Sequence, residues 1–154
     1  MVHLVYCDNA GKKGEKELDK ILAGTKTMVV RGAAGRKFPH SRVFAGEHLY
    51  FMEKGSASIT ATATVKEVQN FVKLSDENIT KVLADNQEKL NLSEKQITRW
   101  HKKCLCLVEF ERVEDISPLA FDHQGNMDDW LIIEKIEDVV VGTSIPYNYG
   151  KSKF

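Results

Sequence analysis

A chain of 154 residues is the usual size of one domain and is long enough to bury a single core. Hydrophobic residues make up 42% and charged residues 29% of it, which excludes a disordered, collagen-like or fibrous protein. Lys plus Arg and Asp plus Glu number 22 each, so no global positive field exists and any anionic partner must be held by a local patch.

Residues 3–7 alternate weakly and read as an opening strand, followed by a basic turn between Gly11 and Gly14. Leu18, Ile21 and Leu22 recur at helical spacing, and Gly24 falls where a left-handed glycine stops the helix. The β-branched run Thr27–Arg31 then makes Gly24-Thr25-Lys26 a tight helix-to-strand junction. Residues 32–41 carry the Gly and Pro punctuation of a surface loop, bearing Arg36 and Lys37, and are expected to form a mobile lid. Residues 47–53 and 57–68 read as strands around a turn at 54–56. Ser75 is the expected N-cap of a helix carrying Ile79, Val82 and Leu83, and Ser93 with Gln96 fits a capping box; residues 86–91 read as the loop between these helices. Residues 104–113 alternate as a strand, 117–127 read as irregular, 130–141 as a strand, and 143–154 as a tail that frays or meets a partner.

The N-terminal stretch lacks the apolar core of a signal peptide, and no apolar run is long enough to cross a bilayer, so a cytoplasmic location without a membrane partner is expected. Cys7, Cys104 and Cys106 are too few for a disulfide framework and read as free thiols. Cys104 and Cys106 lie at strand spacing near His101 without a second ligand pair, so no metal and no cofactor are expected. Asp128-Asp129 reads as a solvated turn, His40 as a surface residue, and Phe38, Tyr50, Phe51 and Trp130 as core aromatics before base-stacking ones.

A Lys at a helix-to-strand junction, an Arg five residues later and a basic glycine-rich loop form a compact surface for anions, since Arg offers a planar fork and Lys a point charge. Lys26, Arg31, Arg36 and Lys37 are therefore the expected ligand-binding residues. The structural alternative is that Lys26 and Arg31 pair with carboxylates such as Glu47 or Glu88 and tie strand to helix.

Four segments in order, residues 21–31, 45–51, 61–68 and 107–110, resemble the ASCH family, a branch of the PUA-like β-barrel superfamily. The likeness rests on a helix ending in G-x-K-x-x-T-x-R, a strand after a Gly-acid turn, a V-x-x-V strand and a closing strand ending in E-F. It spans about residues 15–113, with 114–141 as a C-terminal strand extension and 142–154 as a tail, all within one domain. It implies an α+β fold: a strand-rich PUA-like barrel with a few short flanking helices. The resemblance also extends to small bacterial amidohydrolases acting on N4-acetylcytidine, which implies catalytic roles for Lys26 and Glu88. The motif Thr is replaced by Val29, whose isopropyl group neither attacks nor donates a hydrogen bond.

The leading expectation is a binding module for RNA or a nucleotide-like small molecule, because recognition needs no hydroxyl at position 29. The alternative is an enzyme, an amidohydrolase acting on an acylated nucleoside or a ribonuclease, in which Lys26 is a base and Glu88 orients water. A protein-interaction adaptor is the third class. The cleft reading, for binding and for catalysis alike, expects Lys26, Arg31 and Glu88 to converge on one concave surface.

Overall fold

The alternating segments after the basic loop build the centre of the molecule, which a computed structural model describes over residues 1–123 and 129–147. Six strands, β1 (Val2–Cys7), β2 (Met28–Ala33), β3 (His48–Glu53), β4 (Ser58–Phe71), β5 (Cys104–Ala120) and β6 (Trp130–Ile133), form one sheet in the order β2-β5-β4-β3-β1-β6. β1 runs parallel to β3, and the other pairings are antiparallel. The register shifts three times between β4 and β5 and once more between β3 and β4, at Phe51 and Met52. Each such bulge bends its strand and increases the twist, so the sheet curls into a half-barrel. Val5, Val29, Phe51, Ala61, Val108 and Phe110 fill its inside. The strand-rich α+β class expected from the sequence is the one formed, with β2 and β6 as the two edges of the curled sheet.

Four short helices flank the sheet: α1 (Glu17–Leu22), α2 (Asp76–Asp85), α3 (Gln87–Leu90) and α4 (Glu94–Arg99). The last three cover the outer face of β2 and β5, where Ile79, Leu83, Leu90 and Trp100 pack on Val30 and Leu107. Local signals set their ends. Gly24 takes φ 78° just beyond α1, the Ser75 hydroxyl accepts from the Asn78 amide, and Ser93 and Gln96 cap each other at α4.

Three boundaries differ from the sequence reading. The expected loop at 86–91 contains α3, closed by Asn91 in the left-handed region at φ 48°. The expected irregular stretch from Ser117 belongs to β5 as far as Ala120. The expected strand 130–141 stops at Ile133 and gives way to a 3-10 helix at Ile136–Val139. The tail returns to the body as far as Tyr147, whose hydroxyl accepts from the Ile132 amide at 3.3 Å. Gly125, Asp128 and residues 148–154 lie outside the described residues. No helix among the described residues is long and apolar enough to cross a membrane.

Gly32 seats β2 against β5 beside Arg31. A Cβ there would lie 2.6 Å from Leu105 Cδ2 and 2.7 Å from the Cys104 carbonyl oxygen, and backbone cannot swing away as a side-chain tip can. Gly32→Ala is expected to lower stability by about 1–3 kcal/mol, read as a shifted urea midpoint at unchanged slope.

Candidate functional site

The junction after α1 is stitched to the residues that end α3. The Thr27 amide donates to the Lys89 carbonyl at 2.9 Å, Asn91 Nδ2 donates to the Thr25 carbonyl at 3.1 Å, and Lys20 Nζ donates to the Asn91 carbonyl at 2.9 Å. This seam turns Lys26 inward. It is 1% exposed, and its ammonium donates to the Leu90 carbonyl. Burial disfavours the charged amine and lowers its pKa to about 8; nearby Glu17 opposes the shift, and Arg31 adds to it.

Glu17, 3% exposed in the first turn of α1, is the carboxylate around which this region is built. Arg31 NH2 donates to Glu17 Oε1 at 3.0 Å and to the Tyr6 carbonyl at 2.9 Å, while NH1 donates to the Val30 carbonyl at 2.8 Å. Burial alone would lower the Arg31 pKa, but Glu17 and the surrounding groups outweigh it and hold the pKa above its ordinary value. Cys7, at the end of β1, faces the same carboxylate, and burial first, then Glu17, pushes its thiol well above the usual range. Two cations thus share one buried carboxylate, and the cluster keeps a net positive charge while Lys26 holds its proton.

The other side of Arg31 opens to a cleft of about 340 Å³. Among the described residues its basic lining comes from Arg31, Lys37, Arg99 and Lys102, its aromatic lining from Phe38, Trp100 and Trp130, and its one carboxylate is Asp129. The guanidinium of Arg99 lies 4.7 Å from the Trp100 ring centroid and that of Arg31 5.3 Å from it. Asp129 holds Arg99 at 2.7 Å and Lys54 at 3.2 Å. The Nε of Arg31 is buried with no hydrogen-bond partner among the described residues. Such a surface presents oriented cations and ring edges to an anion.

The expected site residues separate into three places. Arg31 and Lys37 line the cleft. Arg36 is exposed on the loop of Lys37, where its charge acts on His40. Lys26 lies behind Arg31 in the buried cluster and is not part of the cleft lining. Glu88 is exposed on α3 and is absent from the charges that act on Lys26, so the expected convergence of Lys26 with Glu88 is not formed; Glu17 takes that place. Val29 is fully buried in the half-barrel core, and the Thr25 hydroxyl donates to the Lys20 carbonyl, so neither provides a nucleophile beside Lys26.

His40 is 4% exposed, contrary to the surface position expected. Its Nε2 donates to the Phe71 carbonyl at 3.0 Å, and the Ser41 amide donates to Asn70 Oδ1 at 3.0 Å, so the C-terminal end of the expected lid is anchored to the end of β4. Glu17 and Arg99 were not among the expected site residues, and Asp129, expected in a solvated turn, instead pairs with Arg99 and Lys54 at the cleft. Glu17 looked like an ordinary first-turn acid, and nothing in the spacing linked Arg99 to Asp129 thirty positions on.

No protein-family model matches the chain, and no curated protein matches it by sequence. Solved structures do. A Tyr-to-Phe variant of the ASCH protein from Zymomonas mobilis superposes with a TM-score of 0.62 at 12% identity, covering 87% of this chain and 91% of that one. The ASCH protein of the same organism gives 0.59 at 12% identity over 87% and 88%, and its Ser-to-Ala variant 0.59 at 11% over 87% and 89%. The chain has an ASCH-like fold. At such identity the likeness concerns the path of the backbone, and the ASCH-like scaffold here carries its own set of charges.

The buried Lys26 gives a pH signature. Its folded pKa of about 8 lies below the ordinary 10.5, so above pH 8 the unfolded chain retains a proton the folded one has released, and stability from this group rises with pH until both forms are neutral. Between pH 7 and 9 the wild type is expected to gain about 1 kcal/mol relative to Lys26→Met, measured by urea unfolding at each pH. A constant difference across that range would contradict the burial of a titrating amine.

Proposed function

We propose that the chain binds a nucleotide-like ligand or the single-stranded end of an RNA in the cleft above Arg31. The observation that carries this reading is the cleft lining: among the described residues, four cations and three aromatic residues against one carboxylate, in a space of about 340 Å³. That volume suits a mononucleotide, with phosphate oxygens on the Lys and Arg side chains and the base against the ring of Phe38. Arg31 supports it further, because three hydrogen bonds already fix its guanidinium and little freedom is left to lose on binding. Equal numbers of acidic and basic residues favour a small or single-stranded ligand over a duplex, whose charge density needs a broad basic face.

A hydrolytic reading has one observation in its favour, the lowered pKa of Lys26, which suits a base near neutrality. Against it stand the enclosure of that amine, the burial of Val29 and the exposed position of Glu88. Binding requires none of the missing groups.

Calorimetric titration with nucleoside monophosphates and short oligoribonucleotides, over about 50 to 200 mM salt, tests the proposal. Lys37→Ala combined with Lys102→Ala is expected to weaken binding at least tenfold and to flatten its salt dependence, with the fold unchanged because both side chains are exposed. Wild-type protein that shows no salt-sensitive binding to any of these ligands contradicts it. Release of acetate from N4-acetylcytidine would favour the hydrolytic reading instead.

A further inference from the structure

Two arginine–carboxylate pairs meet at Trp100, and they differ in how firmly they are closed. The guanidinium of Arg31 lies 5.3 Å from the ring centroid and that of Arg99 4.7 Å from it. The pair of Arg31 with Glu17 is sealed, its side chains 6% and 2% exposed, and opening it would strand charges away from water. The pair of Arg99 with Asp129 stands at the surface, its side chains 43% and 21% exposed. An exposed ion pair is weak, and another anion can break it.

Asp129 stands where three cations meet. Its Oδ2 accepts from Arg99 at 2.7 Å and its Oδ1 from Lys54 at 3.2 Å. Its charge also reaches Arg31: burial lowers the pKa of that guanidinium, and Glu17 foremost, with Cys7 and Asp129, raises it. Arg31, Arg99, Trp100 and Asp129 line both the basic cleft and a smaller polar hollow, so the carboxylate and the two guanidiniums face one space. An anion drawn to both arginines therefore meets a like charge already in place. That carboxylate can yield. Its main chain is fixed, because the Tyr6 amide donates to the Asp129 carbonyl at 3.0 Å, so only the side chain has to turn. Lys54, on the turn after β3 and outside the cleft lining, remains to hold it. A phosphoryl group brings three acceptor oxygens and more charge, whereas the two oxygens of Asp129 are divided between Arg99 and Lys54.

We propose that Asp129 is a resident counter-ion of the cleft: its carboxylate occupies the place of the ligand's anion beside Arg31 and Arg99, and an entering phosphoryl group displaces it towards Lys54. The proposal rests on the cleft being the anion site described above, but not on the ligand being a nucleotide. Affinity is held below what the cations of the cleft would give by themselves, and one side chain sets it.

Calorimetry with inorganic phosphate and with adenosine 5′-monophosphate, on the wild type and on Asp129→Asn, tests it. Asparagine keeps the shape and an acceptor for Arg99 without the charge, and the variant is expected to bind both probes about fivefold more tightly. Arg99→Met is expected to weaken binding by less than about threefold with Asp129 present and by about tenfold in the Asp129→Asn background, where Arg99 no longer has a competing partner. Tighter phosphate binding by the variant without any nucleotide binding would support the counter-ion and overturn the nucleotide reading. Nucleotide binding by the wild type that is equal or weaker in folded Asp129→Asn would overturn the counter-ion and leave the nucleotide reading in place. Binding of neither probe to either protein would overturn both. If Asp129→Asn does not fold, Lys54→Met takes its place at about 0.15 M salt, where distant charges are screened. Without Lys54 the carboxylate stays on Arg99, so phosphate is expected to bind about threefold more weakly, and an unchanged affinity would overturn the proposal.

Discussion

The buried ion pair between Glu17 and Arg31 is the interaction on which the rest of the site depends. It joins α1 to β2, and through the Tyr6 carbonyl and Cys7 it reaches β1, so three segments distant in sequence are held by one carboxylate. Removing one partner of such a pair strands the other charge away from water, at a cost of about 3–5 kcal/mol. Here the stranded charge would be double, because Lys26 relies on the same carboxylate and otherwise has only the Leu90 carbonyl. The seam between residues 25–27 and 89–91 exists to hold that second cation in place.

This arrangement separates two roles that a motif of Lys and Arg leaves fused. Lys26 is interior and structural; Arg31 is held from behind and shows one side to a cleft. The groups that complete the cleft come from elsewhere, Lys37 from the loop after β2 and Arg99, Trp100 and Lys102 from the end of α4. The proposed anionic ligand would therefore meet one rigid cation and several surface ones. In that proposal the rigid one would set the geometry, and the surface ones the affinity and its response to salt. An ASCH-like backbone is compatible with this distribution without prescribing it.

Much of the fold was legible because local rules decided it. Gly24 ends α1, Ser75 and Ser93 start helices, and the alternation of residues 58–68 makes a strand, each for reasons contained within a few residues. The misreadings came where partners decide. Ser117-Pro118 looked like a strand breaker, yet β2 covers β5 only from Cys104 to Glu109, so proline further along loses no ladder bond on that side. The run from Trp130 onward is apolar enough for a longer strand, but only Trp130–Ile133 finds β1 to pair with. At the site, Lys26 and Arg31 were visible as a pair of charges, whereas Glu17 was not, because its role depends on a tertiary contact fourteen residues away that no periodicity encodes. Glu88 was misplaced for the same reason: α3 presents the Leu90 carbonyl to Lys26 and leaves the neighbouring carboxylate in solvent.

The central claim is that Lys26 lies sealed behind the cleft while Lys37 and Lys102 face it. Acylation of the native protein by a water-soluble amine-reactive ester, resolved residue by residue by mass spectrometry with and without a nucleoside monophosphate, tests it directly. The account predicts that Lys37 and Lys102 are modified and become protected by the nucleotide, and that Lys26 stays unmodified in both cases until the protein is unfolded. Rapid modification of Lys26 in the folded protein, suppressed by the nucleotide, would contradict it and return that amine to the binding surface.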